Sequence, residues 1–140
     1  MANMKIGIIG AGGRMGQACI RQVADTEGCA VVAASDIAGS ALIGQDAGDA
    51  AGSSPLGVAV SEDAAAVIAS SDAIIEFTLP EPTVSHVALT AEAGVAHIIG
   101  TTGMDAAQEN ALRAAGEKSV IMHAPIMSLA VNLLFALTKQ

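Results

Sequence analysis

The sequence predicts an α/β fold, a doubly wound parallel sheet with helices on both faces. Short apolar runs alternate with segments whose apolar residues recur at helical spacing, and glycine-bearing turns follow several of the runs. Alanine and valine supply much of the hydrophobic content of 52%, which suits helices packed closely on a parallel sheet. Ligands of such sheets bind at the carboxyl ends of the strands, so the turns there are candidate sites.

The first part of the chain predicts two strands, one helix and a long loop. Ile6–Ile9 is an apolar run that predicts the first strand, and apolar residues at helical spacing over Met15–Val23 predict the first helix. Ala30–Ala34 is the second predicted strand. The residues Ile37–Gly57 are rich in Gly, Ser, Ala and Asp, and therefore predict a loop, with one helical turn around Ala41–Ile43.

Capping and breaking residues divide the rest of the chain. Ser61 resembles the N-cap of one helix. Pro80 and Pro82 break the chain and start the next helix, which Gly94 ends. The predicted strands are Val58–Val60, Ala73–Phe77, Val95–Ile99 and Val120–Met122. The predicted helices run from Ser61 to about Ala69, Thr83–Ala93, Asp105–Ala115 and Met127–Leu137.

The glycine-rich turn G-A-G-G-R-M-G after the first strand carries the main functional signal. Gly10 and Gly12 fit the first two places of the dinucleotide fingerprint G-x-G-x-x-G, but Met15 occupies the third. The pattern G-x-x-G-x-x-G, formed by Gly10, Gly13 and Gly16, describes the turn better than G-x-G-x-x-G does. A helix that begins at such a turn presents free N–H groups and partial positive charge to a phosphate. The turn therefore indicates dinucleotide binding.

Asp36 ends the second strand, about 20 residues after the turn, where dinucleotide-binding folds place a carboxylate that binds the ribose. Turn and carboxylate together indicate a Rossmann-like fold; the alternative is a plain strand-to-helix turn with a surface aspartate. Asp36 repels a 2′-phosphate, and Ile37 supplies no cation to receive one. We therefore expect NADH to be preferred over NADPH, although Arg14 is a cation that could approach the phosphate from the turn.

Composition argues against several classes of partner. The net charge of −8 disfavours nucleic acids and anionic membranes, and Phe77 and Phe135 are too few aromatics to stack bases. Neither a transmembrane helix nor a signal peptide is predicted. Cys19 and Cys29 do not form a C-x-x-C motif, and we expect buried free thiols in a cytoplasmic protein.

The remaining polar candidates carry weaker signals. His86, His97 and His123 lack metal-ligand spacing, so no metal site is expected. His86 is interpreted as a solvated or hydrogen-bonded helix residue, whereas His123 ends a strand beside the candidate cleft. Glu76 interrupts an apolar strand; it is either a buried, hydrogen-bonded carboxylate or an edge residue, and is interpreted as structural. Asp46, in the long loop, is expected to be solvated.

Four stretches of the sequence together resemble the 4-hydroxy-tetrahydrodipicolinate reductase family, also called dihydrodipicolinate reductase. They are G-A-G-G-R-M-G from Gly10, E-F-T-L-P-E from Glu76, I-G-T-T-G from Ile99 and A-P-I-M-S from Ala124, the last followed by Val131-Asn132. They occur in the family's order over nearly the whole chain. The resemblance implies reduction of the dihydrodipicolinate precursor to tetrahydrodipicolinate by NADH or NADPH, in lysine and diaminopimelate biosynthesis.

The resemblance also implies which residues hold the cofactor. The first glycine-rich turn corresponds to the pyrophosphate loop, Asp36 to the ribose-binding acid, and Phe77 with Thr78 to the wall of the cofactor cleft. The turn Gly100–Thr102 and the loop Ala124–Met127 correspond to the two sides of the nicotinamide. The full set is Gly10, Ala11, Gly12, Gly13, Arg14, Met15, Asp36, Ile37, Phe77, Thr78, Gly100, Thr101, Thr102, Ala124, Pro125, Ile126 and Met127.

The chain departs from the family in two ways. Ile126 replaces a usual Asn, and Ala130 a usual Gly. Family members are also longer and continue into a second, α+β domain with a His-His-Arg-His motif, a catalytic Lys and a Gly-Thr pair, none of which occurs here. We therefore expect a truncated chain: residues 1–125 as the dinucleotide-binding domain and 126–140 as the start of a connection. This chain alone is expected to be inactive, and no catalytic residue is assigned in it.

Two other functions stay open at this point. One is another amino-acid-pathway dehydrogenase of the aspartate or homoserine type, which the G-T-T-G turn disfavours. The other is a stand-alone dinucleotide-binding module that senses redox state or regulates a partner. For the full-length family member, the resemblance implies a homotetramer that binds a small cyclic dicarboxylate through the second domain.

Overall fold

A computed structural model describes residues 3–138 of the chain. Its strands are β1 (Met4–Ile9), β2 (Cys29–Ser35), β3 (Val60–Ser61), β4 (Ala73–Glu76), β5 (Ala96–Ile99) and β6 (Ile121–His123). Its helices are α1 (Arg14–Ala24), α2 (Ala47–Ala50), α3 (Ala64–Ala69), α4 (Pro80–Ala93), α5 (Ala106–Gly116) and α6 (Leu129–Thr138). Most elements lie where the sequence predicts them, with ends that differ by up to three residues.

The six strands form one sheet in the order β3-β2-β1-β4-β5-β6, and every pair of neighbouring strands is parallel. From β1 the chain adds strands to one side as far as β3, and then crosses over to β4 on the other side. The direction of winding therefore reverses between β1 and β4, and the connections leave a crevice at the carboxyl ends of these two strands. The predicted fold class is confirmed.

Both faces of the sheet are covered by helices, because side chains alternate along each strand. On one face, Ile6 and Ile8 of β1 pack with Ile20 of α1. On the other face, Ile9 packs with Val67 of α3. A third cluster joins β5 to α4 and α5, and its buried members are Val87, Ala91, Ile99, Leu112 and Ala115.

The long loop after β2 contains a helical turn, but not at the predicted place. The helix is α2, whereas Ala41–Ile43 forms non-helical turns. Asp46 sets this position, because its side chain accepts hydrogen bonds from the N–H groups of Gly48 and Asp49 and so caps the helix. Asp46 stays partly exposed to solvent, as expected, but it also has this structural role, which was not expected. The cap of α3 is likewise Asp63, not Ser61.

One other local expectation differs from the structure. Cys19 and Cys29 are free thiols, as expected, but both are half-buried rather than buried, and burial raises the pKa of Cys19. The final helix α6 has no buried residue among those described, and it exposes Leu129, Leu133, Leu134, Phe135 and Leu137. None of the helices within residues 3–138 has the length and apolar character needed to cross a membrane.

Candidate functional site

A cleft of about 440 Å³ opens at the carboxyl ends of β1 and β4. Six of the residues that the sequence predicts for cofactor binding line this cleft: Gly10, Gly13, Asp36, Ile37, Phe77 and Thr78. They come from three separate turns, after β1, β2 and β4. The parallel sheet brings these turns together because its carboxyl ends share one edge.

The first glycine-rich turn is held against β2 by its backbone. The N–H groups of Gly10 and Ala11 both donate to the carbonyl oxygen of Ser35, each at 2.9 Å. Gly10 has a φ of +87°, which favours glycine. At Gly16 a Cβ atom would lie 2.0 Å from the carbonyl oxygen of Gly10, so the absence of a side chain lets α1 start directly beside β1.

The N-terminus of α1 faces the cleft without a side-chain cap. Gly13 is the N-cap residue and lines the cleft, and no side chain in the described part of the chain caps the helix. Arg14 and Met15 follow it and are exposed. The first N–H groups of an eleven-residue helix are thus available to an anion, with the helix dipole in its favour.

Asp36 lies directly above the glycine-rich turn. A Cβ atom at Gly12 would be 2.3 Å from Oδ2 of Asp36, so the two residues are in close contact. Ser40 Oγ donates to the same Oδ2 at 2.6 Å, and the backbone N–H of Asp36 donates to Ser61 at 3.0 Å. The neighbouring Ile37 is 75% exposed and forms the outer rim. A carboxylate is thereby fixed beside the phosphate-binding turn.

The other predicted segments lie further along the same edge of the sheet. Thr101 is buried, and its Oγ1 accepts a hydrogen bond from the N–H of Thr78 at 3.4 Å. The ring of Phe77 lies against the backbone of Gly100. The turn Gly100–Thr102 therefore adjoins the cleft wall, although it is not part of the cleft's lining.

The loop after β6 is joined to this turn but does not reach the cleft. The N–H of Ala124 donates to Ile99 at 3.0 Å, and His123 Nε2 lies 3.0 Å from the carbonyl oxygen of Thr101. Pro125 lines a second depression of about 380 Å³ between α5 and β6. Ile126 and Met127 are exposed. The structure thus places the loop Ala124–Met127 outside the cleft that the other turns share.

Glu76, at the end of β4, is fully buried behind the cleft wall. Its Oε1 is 2.8 Å from Nδ1 of His86, which also lines the cleft, and it accepts the hydroxyl of Thr78. Nε2 of His97 lies 2.9 Å from Oε2, but the two atoms do not form a regular hydrogen bond. Burial alone would raise the pKa of Glu76, but the histidine and threonine contacts outweigh it and lower the pKa to about 2.

The sequence predicted only part of this cleft. Leu79, Pro82 and His86 also line it, and no cofactor role was expected for them. A signal was present: Pro82 and His86 are four residues apart at the start of α4, and therefore lie on the same helix face. Two interpretations of Glu76 were left open, a buried, hydrogen-bonded carboxylate and an edge residue. The structure confirms the first.

Comparison with known proteins identifies similar chains. The family model described as dihydrodipicolinate reductase, N-terminus, matches residues 4–127. The chain is 44% identical over 140 residues to the 4-hydroxy-tetrahydrodipicolinate reductase of Rhodopseudomonas palustris strain BisB18, covering 100% of this chain and 52% of that protein. It is 47% identical over 137 residues to the enzyme of the same name from Allorhizobium ampelinum, covering 98% of this chain and 51% of that protein.

The fold has solved counterparts. One is the dipicolinate-bound dihydrodipicolinate reductase from Paenisporosarcina sp. TG-14, with a TM-score of 0.68 over 88% of this chain and 47% of that one. The sequence identity is 23%, so this likeness shows the fold alone. The chain spans about half the length of the curated relatives it matches.

Proposed function

The chain belongs to the dihydrodipicolinate reductase family and matches its N-terminal region; on that basis we propose that it binds the reduced nicotinamide dinucleotide, NADH or NADPH. The protein of which it is a part would use this cofactor to reduce the dihydrodipicolinate precursor to tetrahydrodipicolinate, in lysine and diaminopimelate biosynthesis. The substrate is a small cyclic dicarboxylate. The cofactor supplies the hydride, and this chain binds and orients it.

One observation carries the proposal: an uncapped helix N-terminus and a fixed carboxylate face one cleft where the winding of the sheet reverses. The N–H groups after Gly13 would bind the pyrophosphate, and Asp36 the adenosine ribose. Thr101 and Thr102, further along the edge, would lie beside the nicotinamide. This spacing fits a dinucleotide better than a single phosphate, because the polar groups follow one another along three turns.

We further propose that NADH is preferred over NADPH. The Asp36 carboxylate can accept hydrogen bonds from ribose hydroxyls, but it would repel a 2′-phosphate at the same place. Ile37, the next residue, is exposed and uncharged, so it offers that phosphate no cation. The preference should amount to about 1–2 kcal/mol, the scale of one charged hydrogen bond, or roughly a five- to thirtyfold difference in Kd.

Calorimetric titration of the 140-residue chain with NADH and NADPH tests both proposals. We expect binding of both dinucleotides, tighter for NADH. Asp36→Ala should weaken NADH binding and remove the difference between the two. Asp49→Ala is the matched control, since it removes the same charge from an exposed position outside the cleft. Equal or tighter NADPH binding by the unmodified chain would refute the preference, and no binding of either would refute the site.

A further inference from the structure

A chain of buried hydroxyl groups connects the Glu76 carboxylate to the turns on both sides of the cleft wall. Thr83, in the first turns of α4, is fully buried. Its Oγ1 lies 3.1 Å from Glu76 Oε1, 2.9 Å from Thr101 Oγ1 and 3.1 Å from Thr78 Oγ1. Thr83 is therefore the point at which β4, α4 and the turn after β5 meet.

The chemistry of these groups fixes the direction of their hydrogen bonds. An ionised carboxylate only accepts, so the hydroxyl of Thr78 donates to Glu76, and the hydroxyl of Thr83 points its proton toward the same oxygen or toward Leu79. The one proton of Thr83 lies between two acceptors, Glu76 Oε1 at 3.1 Å and the carbonyl oxygen of Leu79 at 2.8 Å. The oxygen of Thr83 accepts the hydroxyl of Thr101. Thr101 Oγ1 in turn accepts from the backbone N–H of Thr78. The bonds close a ring of three threonines on one carboxylate, in which each bond polarises the next.

The carboxylate is ionised at neutral pH, since its contacts lower the pKa of Glu76 to about 2. His86 Nδ1 donates to it from the cleft side, and His97 lies against its other oxygen. The hydrogen bonds of the carboxylate all go to Oε1, and breaking one of them would leave a polar group unpaired in the interior. The ring is consequently a stiff connection.

We propose that Glu76 and Thr83 are positioning residues for the nicotinamide end of the cofactor: the ring they form with Thr78 and Thr101 fixes the turn Gly100–Thr102 against the cleft wall. This inference rests on the proposed function. Neither residue touches the adenosine end, where Gly13 and Asp36 lie. Thr78 lines the cleft beside Gly10, but it keeps its own bond to Glu76 when the Thr83 hydroxyl is removed, so that loss should weaken binding of the nicotinamide half more than that of the adenosine half.

ADP-ribose separates positioning from a merely structural role, because it contains the adenosine and both phosphates but no nicotinamide. Thr83→Val keeps the shape of the side chain and removes the hydroxyl. We expect its Kd for NADH to rise about five- to tenfold, as for the loss of one or two hydrogen bonds, and its Kd for ADP-ribose to change less than about twofold. The rise in NADH fluorescence on binding should fall in parallel, and the chain, which has no Trp or Tyr, contributes no overlapping emission.

Ser71→Ala is the control: Ser71 is buried, and its hydroxyl bonds to Val67 rather than to Glu76 or to either turn. It should leave the ratio of the two Kd values unchanged. Thr83→Ser, which restores the hydroxyl, should recover NADH binding. If Thr83→Val does not fold, Glu76→Gln is measured instead, with the same selective loss expected.

The outcomes distinguish the inference from the function on which it rests. An unmodified chain that binds neither NADH nor ADP-ribose refutes the proposed function. If the unmodified chain binds NADH and ADP-ribose, the result for Thr83→Val decides the inference. A variant that loses affinity for the two ligands equally, or for neither of them, overturns the positioning role of the ring. A Ser71→Ala variant that shows the same selective loss as Thr83→Val would overturn it as well, since the effect would then follow from the loss of any buried hydroxyl.

Discussion

Two glycines of the first turn, Gly13 and Gly16, differ in the room available at their Cα atoms. At Gly16 a Cβ atom would meet the carbonyl oxygen of Gly10 at 2.0 Å, and backbone cannot move away without separating α1 from β1. At Gly13 the nearest atom is the same oxygen at 3.4 Å, an ordinary contact. A glycine at position 16 is therefore required for the fold to form. A glycine at position 13 is required only for a ligand to approach the backbone from the cleft.

Alanine substitution should separate these two requirements. Gly16→Ala should lower the free energy of unfolding by about 1–3 kcal/mol or more, as for an overpacked core position. Gly13→Ala should change it by less than about 1 kcal/mol, because its φ of −72° suits any residue. Its Kd for NADH should nevertheless rise at least about tenfold, since the new methyl group occupies the space of the pyrophosphate. Urea unfolding and calorimetric titration measure the two quantities.

Each variant serves as the control for the other. A Gly13→Ala chain that binds NADH as tightly as the unmodified chain would show that the pyrophosphate does not approach this N-cap. A Gly16→Ala chain of unchanged stability would show that the close contact between α1 and Gly10 relaxes freely.

At individual residues, the sequence predicted the site where one local pattern sufficed. Gly10, Gly13 and Asp36 follow from strand-to-turn boundaries that are visible in the sequence, and the structure places all three around one cleft. The buried ring around Glu76 could not be predicted in this way. Its members Thr83 and Thr101 are 18 residues apart, and their contact depends on how α4 packs on β5. The one available signal was an acid inside an apolar strand, which requires buried partners.

The element most dependent on a single side chain is the loop that contains α2. Asp46 accepts hydrogen bonds from the backbone N–H groups of Gly48, Leu56, Gly57 and Val58, at 2.8, 2.9, 2.6 and 3.1 Å. It therefore ties the start of the helix to the segment that leads into β3. Ala47, the first residue of the helix, and Ala51, its C-cap, are both buried in the core. Loosening the loop would therefore also disturb the core.

Asp46→Asn should lower the melting temperature at neutral pH by a few degrees, because an amide NH2 group replaces one of the two accepting oxygens. Asp49→Asn is the control, since its side chain makes no hydrogen bond within residues 3–138 and is exposed. The hydrogen bonds to Asp46, that from Leu56 foremost, lower its pKa below the ordinary 3.8. Its stabilising contribution is thus complete above pH 3.8 and is lost as the pH falls through the lowered pKa.

The difference between the unmodified chain and Asp46→Asn should accordingly shrink below pH 3.8, when Asp46 itself takes up a proton. Thermal unfolding followed by circular dichroism at several pH values measures this. A difference that is constant down to the acid limit would mean that Asp46 is not the acceptor for these N–H groups in solution.

At the scale of elements, the alternation of strands and helices was predictable because each has its own apolar period. The structure of the long loop after β2 was harder to predict. Its composition of Gly, Ser, Ala and Asp predicts irregular structure, and α2 has too few residues to show a period. The usable signal was Asp46 with Asp49 three residues later, an N-cap followed by an acid in the first turn. Such a short helix exists because its cap and its two core contacts outweigh its weak intrinsic preference.

Across the whole molecule, the buried core and the apolar surface lie in different places. The described core clusters use β1–β5 and α1–α5, whereas α6 contributes no buried residue among those described. Leu133 of α6 is 58% exposed, while Leu112 of α5 is 4% exposed. The boundary after residue 125, with residues 1–125 as the dinucleotide-binding domain, stays a prediction that stability measurements can test.

The same substitution at these two leucines measures where the cooperative unit ends. Leu112→Ala should cost about 2–5 kcal/mol of unfolding free energy, because it leaves a cavity between α5 and β5. Leu133→Ala should change it by less than about 0.5 kcal/mol, because no packed contact is lost. Urea unfolding gives both values. An equal cost at Leu133 would mean that the unit which unfolds extends beyond residue 125. If that cost also depends on protein concentration, a second copy of the chain covers the apolar face of α6 in solution.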